Sequence, residues 1–196
     1  MIIGARTGAW SGKTLPYLRR LGYIESTGSQ YIVSHVTATN LIRIEADFKF
    51  NSTTIQFSGL WADKGRLQFG ISSGKLNIGI GSNSENFFSQ ILGRHTFVLD
   101  CKNRYAELSD VEGSRVSFAS ATINFYSRKI PAFIQDNKGI INYYCEARGY
   151  GLRIFDDSVL VANYIPVMSF DNTPEFFDEI TQTFAERNGD FLYGEL

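Results

Sequence analysis

Histidine and cysteine are scarce. The 196-residue chain holds two of each: His35 and His95, Cys101 and Cys145. Neither histidine has a second histidine or a cysteine at ligand spacing, which excludes the clustered ligand sets of zinc and iron centres. No metal and no cofactor is expected, with calcium, which needs only oxygen ligands, left open. The two distant thiols read either as small buried hydrophobes or as a disulfide pair, and the sequence leaves both open. Charge of either sign is not in excess, since 19 basic and 20 acidic side chains give a formal net charge of -1. That provides no basic footprint for DNA or RNA, so no nucleic-acid partner is expected. Long apolar runs are missing too. Nothing approaches the roughly 18 consecutive apolar residues of a membrane span, and "MIIGARTGAWSGKTLPYLRR" has no apolar signal core. The expectation is a chain made in a cytoplasm, without membrane contact. Only four prolines, spread among 18 glycines, leave no low-complexity linker. No G-x-S-x-G elbow is present, and neither cysteine sits in a reactive context.

One stretch imitates a nucleotide site. "GAWSGKT" (Gly8 to Thr14) ends as a phosphate-binding loop ends. The full pattern needs glycine at position 7, where Thr7 stands, and Gly8 falls one place late. No apolar strand precedes it, and Pro16 follows where the helix should run. "GIGSNS" (Gly79 to Ser84) lacks the third glycine of a dinucleotide fingerprint and reads as a hairpin loop.

What the chain has is aromatics, 16 Phe, 10 Tyr and 2 Trp, set in a period of two. In "RIEADFKF" (Arg43 to Phe50), Ile44, Ala46, Phe48 and Phe50 share one face and the charged residues the other. That is a half-buried antiparallel strand. "KLNIGI" and "INYYCEAR" alternate likewise, the second with Ile141, Tyr143, Cys145 and Ala147 on one face. "SQYIV", "TIQFSGLW", "GRLQFGI", "HTFVLDC", "RVSFA", "TINFY", "LRIFD" and "VLVANYIPV" are further strands, divided by turns such as "SSGK", "QDNKG" and "FDDS". Many short strands at this spacing predict an all-β, two-sheet antiparallel sandwich. One departure is expected near the end. In "NTPEFFDEITQTFAER", Thr173 suits an N-cap and Pro174 the first helical position, while Phe176, Phe177, Ile180 and Phe184 fall at helical spacing. This predicts a short helix or a pair of turns on the sandwich edge.

Two sets of residues bear on function. Glu45 and Asp47 lie on one strand face, as do the carboxylates of β-sandwich glycoside hydrolases, but Lys49 occupies the place of the third acid. A solvated face of alternating charge accounts for the row without catalysis, and no enzymatic activity is expected. Sugar binding asks only for aromatic platforms and a few fixed polar groups. Trp61, Tyr105, Tyr126, Tyr144 and Tyr150 are the candidates, with Tyr143 beside them.

"YIESTGSQYI" (Tyr23 to Ile32) resembles the opening of concanavalin A-like, LamG-like jelly-roll domains of bacteriophages and gut bacteria. "LRIFDDSVLVANYIPV" resembles that family's late hairpin, and "EFFDEITQTFAERNGDFLYGEL" its closing segment. The resemblance spans about residues 17 to 196. It departs at Val33 to His35, where the family has Asp-Thr-Gly, and at Ala162-Asn163, where it has Arg-Asp. It implies a jelly roll whose first and last segments pair. It further implies a non-catalytic virion component, on capsid or tail, contacting other virion proteins and copies of itself, with a lectin-like surface for host or mucus glycans. A stand-alone carbohydrate-binding adhesion module of a gut bacterium is the alternative, with a glycan-cleaving enzyme working through Glu45 or Asp47 behind it. Residues 1–16 then form an arm ahead of the 17–196 sandwich, with Trp10 as the residue that docks on a neighbour, the alternative being a frayed terminus.

Overall fold

The computed structural model describes residues 15–54, 56–60, 65–72, 74–86, 93–119, 121–125, 127–137 and 140–196. Among these the chain is all-β, with no helix. The first ten strands are β1 (Arg19–Arg20), β2 (Tyr23–Thr27), β3 (Tyr31–Thr37), β4 (Ile42–Phe50), β5 (Gln56–Leu60), β6 (Arg66–Ser72), β7 (Lys75–Gly81), β8 (Asn83–Asn86), β9 (Arg94–Asp100) and β10 (Tyr105–Leu108). Ten more follow: β11 (Val116–Ser117), β12 (Lys129–Ala132), β13 (Ile134–Asn137), β14 (Ile140–Tyr144), β15 (Glu146–Asp156), β16 (Val159–Met168), β17 (Pro174–Asp178), β18 (Thr183–Phe184), β19 (Glu186–Asn188) and β20 (Leu192–Gly194).

Eleven strands form one antiparallel sheet along the path β11-β10-β9-β4-β15-β16-β17-β18, with β1 beside β16 and β2 lying between β15 and β20. Six form a second sheet, β14-β13-β5-β6-β7-β8, antiparallel except for the β13–β5 pair. A short third sheet runs β12-β3-β19. Early and late strands meet, since Tyr23 lies opposite Gly194 and Ile32 opposite Arg187.

The sandwich forms because alternate residues face alternate ways. Along β4 the even-numbered residues Ile42 to Phe50 are buried and the charged residues between them are half-exposed. The inward rings meet those of the six-stranded sheet. Phe48 touches Phe69 edge-on at 5.1 Å, Phe97 stacks on Phe69 at 4.8 Å, and Phe133 lies 5.0 Å from Phe48. Burying each such ring contributes about 1.5–3 kcal/mol, and each ring pair about 0.5–1.5 kcal/mol more. The third sheet adds Ile32, Ile130 and Ala132 to this core. On the outer face of β16 and β17, Tyr17, Val167 and Phe177 make a second cluster, with Leu15 and Ile165 against it. Tyr17 meets Phe177 edge-on at 5.2 Å. The segment from Leu15 into β1 therefore lies on the outside of the large sheet.

A polar link ties the third sheet to the large one. The Tyr164 side chain is fully buried, its hydroxyl accepting the His35 backbone N–H at 3.0 Å and lying 2.7 Å from His35 Nδ1. His35 Nε2 is 3.5 Å from the carboxylate of buried Asp178. Asp178 in turn accepts the backbone N–H groups of Asn163 at 2.7 Å and Ile180 at 3.0 Å, and the Thr181 hydroxyl at 2.6 Å. Buried polar groups are tolerated when satisfied in this way.

Three sequence expectations are corrected. The helix from Thr173 is instead β17, a turn and β18. Phe176 joins the main core and Phe177 the outer cluster, so both faces of β17 are dry and its apolar residues carry no period of two. Two adjacent buried phenylalanines then mimic helical spacing. "TINFY" contributes no strand over Thr122 to Phe125. "INYYCEAR" is not one strand: the chain leaves the six-stranded sheet after Tyr144 and enters the large sheet at Glu146, and the Cys145 N–H bonds the Phe133 carbonyl at 2.8 Å. The "FDDS" turn is a two-residue hairpin loop in which Asp157 and Ser158 both have positive φ, 46° and 72°. "GIGSNS" is likewise the β7–β8 hairpin, with Ile80 opposite Asn83.

Cys101 and Cys145 are buried and not joined in a disulfide, so the reading as small hydrophobes holds and the disulfide does not. Burial pushes both thiols well above their ordinary range. At pH 8 the folded chain should therefore resist iodoacetamide, and both thiols should react once denaturant is added. Fast labelling of the native chain, followed by mass spectrometry, would contradict this placement.

Candidate functional site

β15 is the longest strand and has two partners along one edge. Its first part pairs β2, ending with Gly149 opposite Ile24. Its second part pairs β16, starting with Leu152 opposite Tyr164. Between them Tyr150 and Gly151 have no partner on that edge among the described residues. On the other edge, against β4, Gly149 lies opposite Phe48 and Gly151 opposite Asp47, so Tyr150 is the extra residue of a β-bulge. The bulge changes the phase of the strand. Ala147 and Gly149 face the core before it, Leu152 and Ile154 after it. Tyr150 and Gly151 are both left half-exposed.

A groove of about 430 Å³ opens where the two partners diverge. Leu21, Gly22 and Tyr23 line it from the β2 side, Ile165 and Pro166 from β16, and Tyr150 and Arg94 from the face of the large sheet, with Arg20, Glu195 and Leu196 at its margin. The rings of Tyr23 and Tyr150 are 5.7 Å apart and tilted by 58°. The Arg94 guanidinium lies 4.0 Å over Tyr150, and that of Arg148 lies 4.4 Å over Tyr23. Each cation–π contact of this kind contributes about 0.5–1 kcal/mol at an exposed site.

Carboxylates fix both guanidinium groups. Arg94 donates through Nε and Nη2 to the two oxygens of Asp47, at 2.8 and 2.5 Å. Arg148 Nε donates to Glu25 at 2.8 Å, and Asn51 donates to the other Glu25 oxygen at 2.8 Å. These bonds raise both guanidinium pKa values, so the arginines stay charged. Two glycines make room. Tyr23 lies against Gly194, where an added Cβ would sit 2.3 Å from its ring, and Gly149 faces Phe133 and Phe176.

Of the described aromatic candidates, Tyr150 alone is placed in this groove. Tyr105 lies on β10, half-buried, with the Arg115 guanidinium 4.0 Å over its ring. Tyr143 and Tyr144 are about two-fifths exposed on β14, an edge strand of the other sheet. Trp61, Tyr126, Trp10 and the "GAWSGKT" stretch fall outside the described residues. Glu45 forms ion pairs with both Arg43 and Arg153, and Asp47 is held by Arg94. Both carboxylates are thus members of the charged outer face that their alternation predicted.

Tyr23, Arg94 and Arg148 were not singled out from the sequence. One signal pointed to this region: in "CEARGYGLRI" the apolar positions move from odd to even across Gly-Tyr-Gly. A break of phase between two glycines marks a bulge.

Among the described residues, no group of three or more His, Cys, Asp or Glu is placed to hold a metal ion. No helix is long and apolar enough to cross a membrane. No protein-family model matches the chain, and no curated protein matches it.

Gly149→Ala should lower stability by about 1–3 kcal/mol, because the new methyl would lie 2.8 Å from the Phe133 ring and 3.0 Å from that of Phe176. Urea denaturation measures it, and an unchanged midpoint would show that the core beneath the bulge has slack.

Proposed function

We propose that this chain is a non-catalytic, lectin-like module that binds glycans through the groove between Tyr23 and Tyr150. One observation carries the reading: a bulge in the longest strand lifts a tyrosine out of the ladder, beside a second tyrosine, in a groove of ligand size. A sugar ring needs apolar contact on its faces and hydrogen-bond partners at its rim. Tyr23, Tyr150, Ile165 and Pro166 offer the first; Arg20, Arg94 and Glu195 offer the second. Nothing in this binding requires a bond to be broken.

The resemblance to concanavalin A-like domains of bacteriophages supports a place on a virus particle for this module. In that setting it is made in the host cytoplasm and meets other virion proteins and copies of itself. The surface offers such contacts at β14, the outer strand of its sheet among the described residues, where Ile140 is 65% exposed with Tyr143 and Tyr144 beside it. Mass spectrometry of purified particles tests that location, with peptides of this chain expected in stoichiometric amounts and their absence counting against it.

Tyr150→Ala should weaken binding to any glycan hit found on an array by about tenfold. Tyr105→Ala and Tyr144→Ala should leave it unchanged. Equal affinity of Tyr150→Ala and the parent chain, by titration calorimetry, would move the site elsewhere.

A further inference from the structure

Resting on that reading of the groove, we infer that its ligand is an acidic glycan, gripped by Lys49 beside Arg94. On the outer face of the large sheet Arg148, Lys49 and Arg94 stand in one row, in register on the adjacent strands β15, β4 and β9. Like charges directly opposite one another destabilise a sheet. Two of the three are offset, Arg148 by Glu25 and Arg94 by Asp47. Lys49 forms no ion pair and no hydrogen bond among the described residues. A half-buried cation between two others, with no partner of its own, is an arrangement the fold alone does not favour. A bound negative charge relieves it.

The position of the row fixes the kind of anion. Arg94 both lies opposite Lys49 and lines the groove, with its guanidinium on Tyr150, while Arg148 carries Tyr23. Lys49 does not itself line the groove but stands between the two arginines that hold its tyrosines, so a charged substituent that reaches past Arg94 from a sugar ring on the tyrosines meets it. The one cation of this row without a partner among the described residues matches one carboxylate or sulfate on such a ring. A nucleic acid strand presents a charge at every residue and is held by several free cations. Here the arginines around Lys49 are already neutralised, and Glu25, Asp47 and Glu195 stand nearby. The exposed backbone of a polyphosphate finds too little to bind.

The test uses the whole chain and its Lys49→Gln variant on an array of neutral, uronate-bearing and sulfated glycans, with a single-stranded oligonucleotide as competitor. Acidic glycans should bind, and their carboxyl-reduced or desulfated counterparts should bind markedly more weakly. Binding should fall as salt rises from roughly 0.05 to 0.5 M. Lys49→Gln should weaken acidic hits by roughly fivefold, the size of one surface ion pair. It should melt at the same temperature as the parent or higher, which a purely structural lysine would not do. The uronate and sulfate arms separate the two sources of charge. Equal binding of neutral counterparts, unchanged affinity in Lys49→Gln, or displacement by the oligonucleotide overturns the inference and leaves the glycan groove standing. Absence of any glycan hit overturns the groove reading itself, and the inference with it.

Discussion

β15 is asked to serve two neighbours on one edge, and that demand shapes the molecule. The strand begins in the angle where the chain leaves the six-stranded sheet, and it ends in a tight hairpin with β16. β2 is drawn to its first half because β2 must also meet β20, which closes the two ends of the chain. β16 holds the second half. Neither partner covers Tyr150 and Gly151, and a strand that must pass such a gap while keeping its core residues inward gains from one extra residue. The bulge keeps Ala147 and Gly149, then Leu152 and Ile154, over the same core. The groove is the space left by the divergence.

The outer face of the large sheet is organised by the same ladder. Its cations and carboxylates neutralise one another in short-range pairs: Arg43 and Arg153 with Glu45, Arg94 with Asp47, Arg148 with Glu25. Exposed pairs of this kind each contribute about 0–1 kcal/mol, so they define the surface more than they stabilise it. Stability comes from the other side, from the phenylalanines between the sheets. This division leaves the outer face free to vary in chemistry without endangering the fold. Lys49 sits on this outer face, third in the row Glu45, Asp47, Lys49.

Much of the fold was legible from residues. The alternation of β4 gave its buried face, and "FDDS" gave the hairpin at Asp157 and Ser158. The end-to-end pairing expected of a jelly roll is present in β2 with β20. Elements failed to read where both faces of a strand are dry, as at Phe176 and Phe177, or where the chain crosses between sheets, as at Cys145. Period two reports one wet face, and these places have none or change sides. The site was half legible. Tyr150 was named among several aromatics, and only the change of phase across Gly149-Tyr150-Gly151 distinguishes it locally from Tyr105 and Tyr144. Its partners Tyr23 and Arg94 come from strands more than 50 residues away, and only the register brings them together.

The account treats Tyr150 as a residue inserted into a strand that would otherwise alternate regularly. Deleting it tests that directly, since Ala147, Gly149, Leu152 and Ile154 would then face inward in strict alternation, with Arg148, Gly151 and Arg153 outward. Circular dichroism and thermal melting of the deletion variant should show a folded β-protein with a cooperative transition, and under the proposed glycan reading it should no longer bind the parent chain's array hits. A variant that fails to fold, or one that folds and still binds, would contradict the claim.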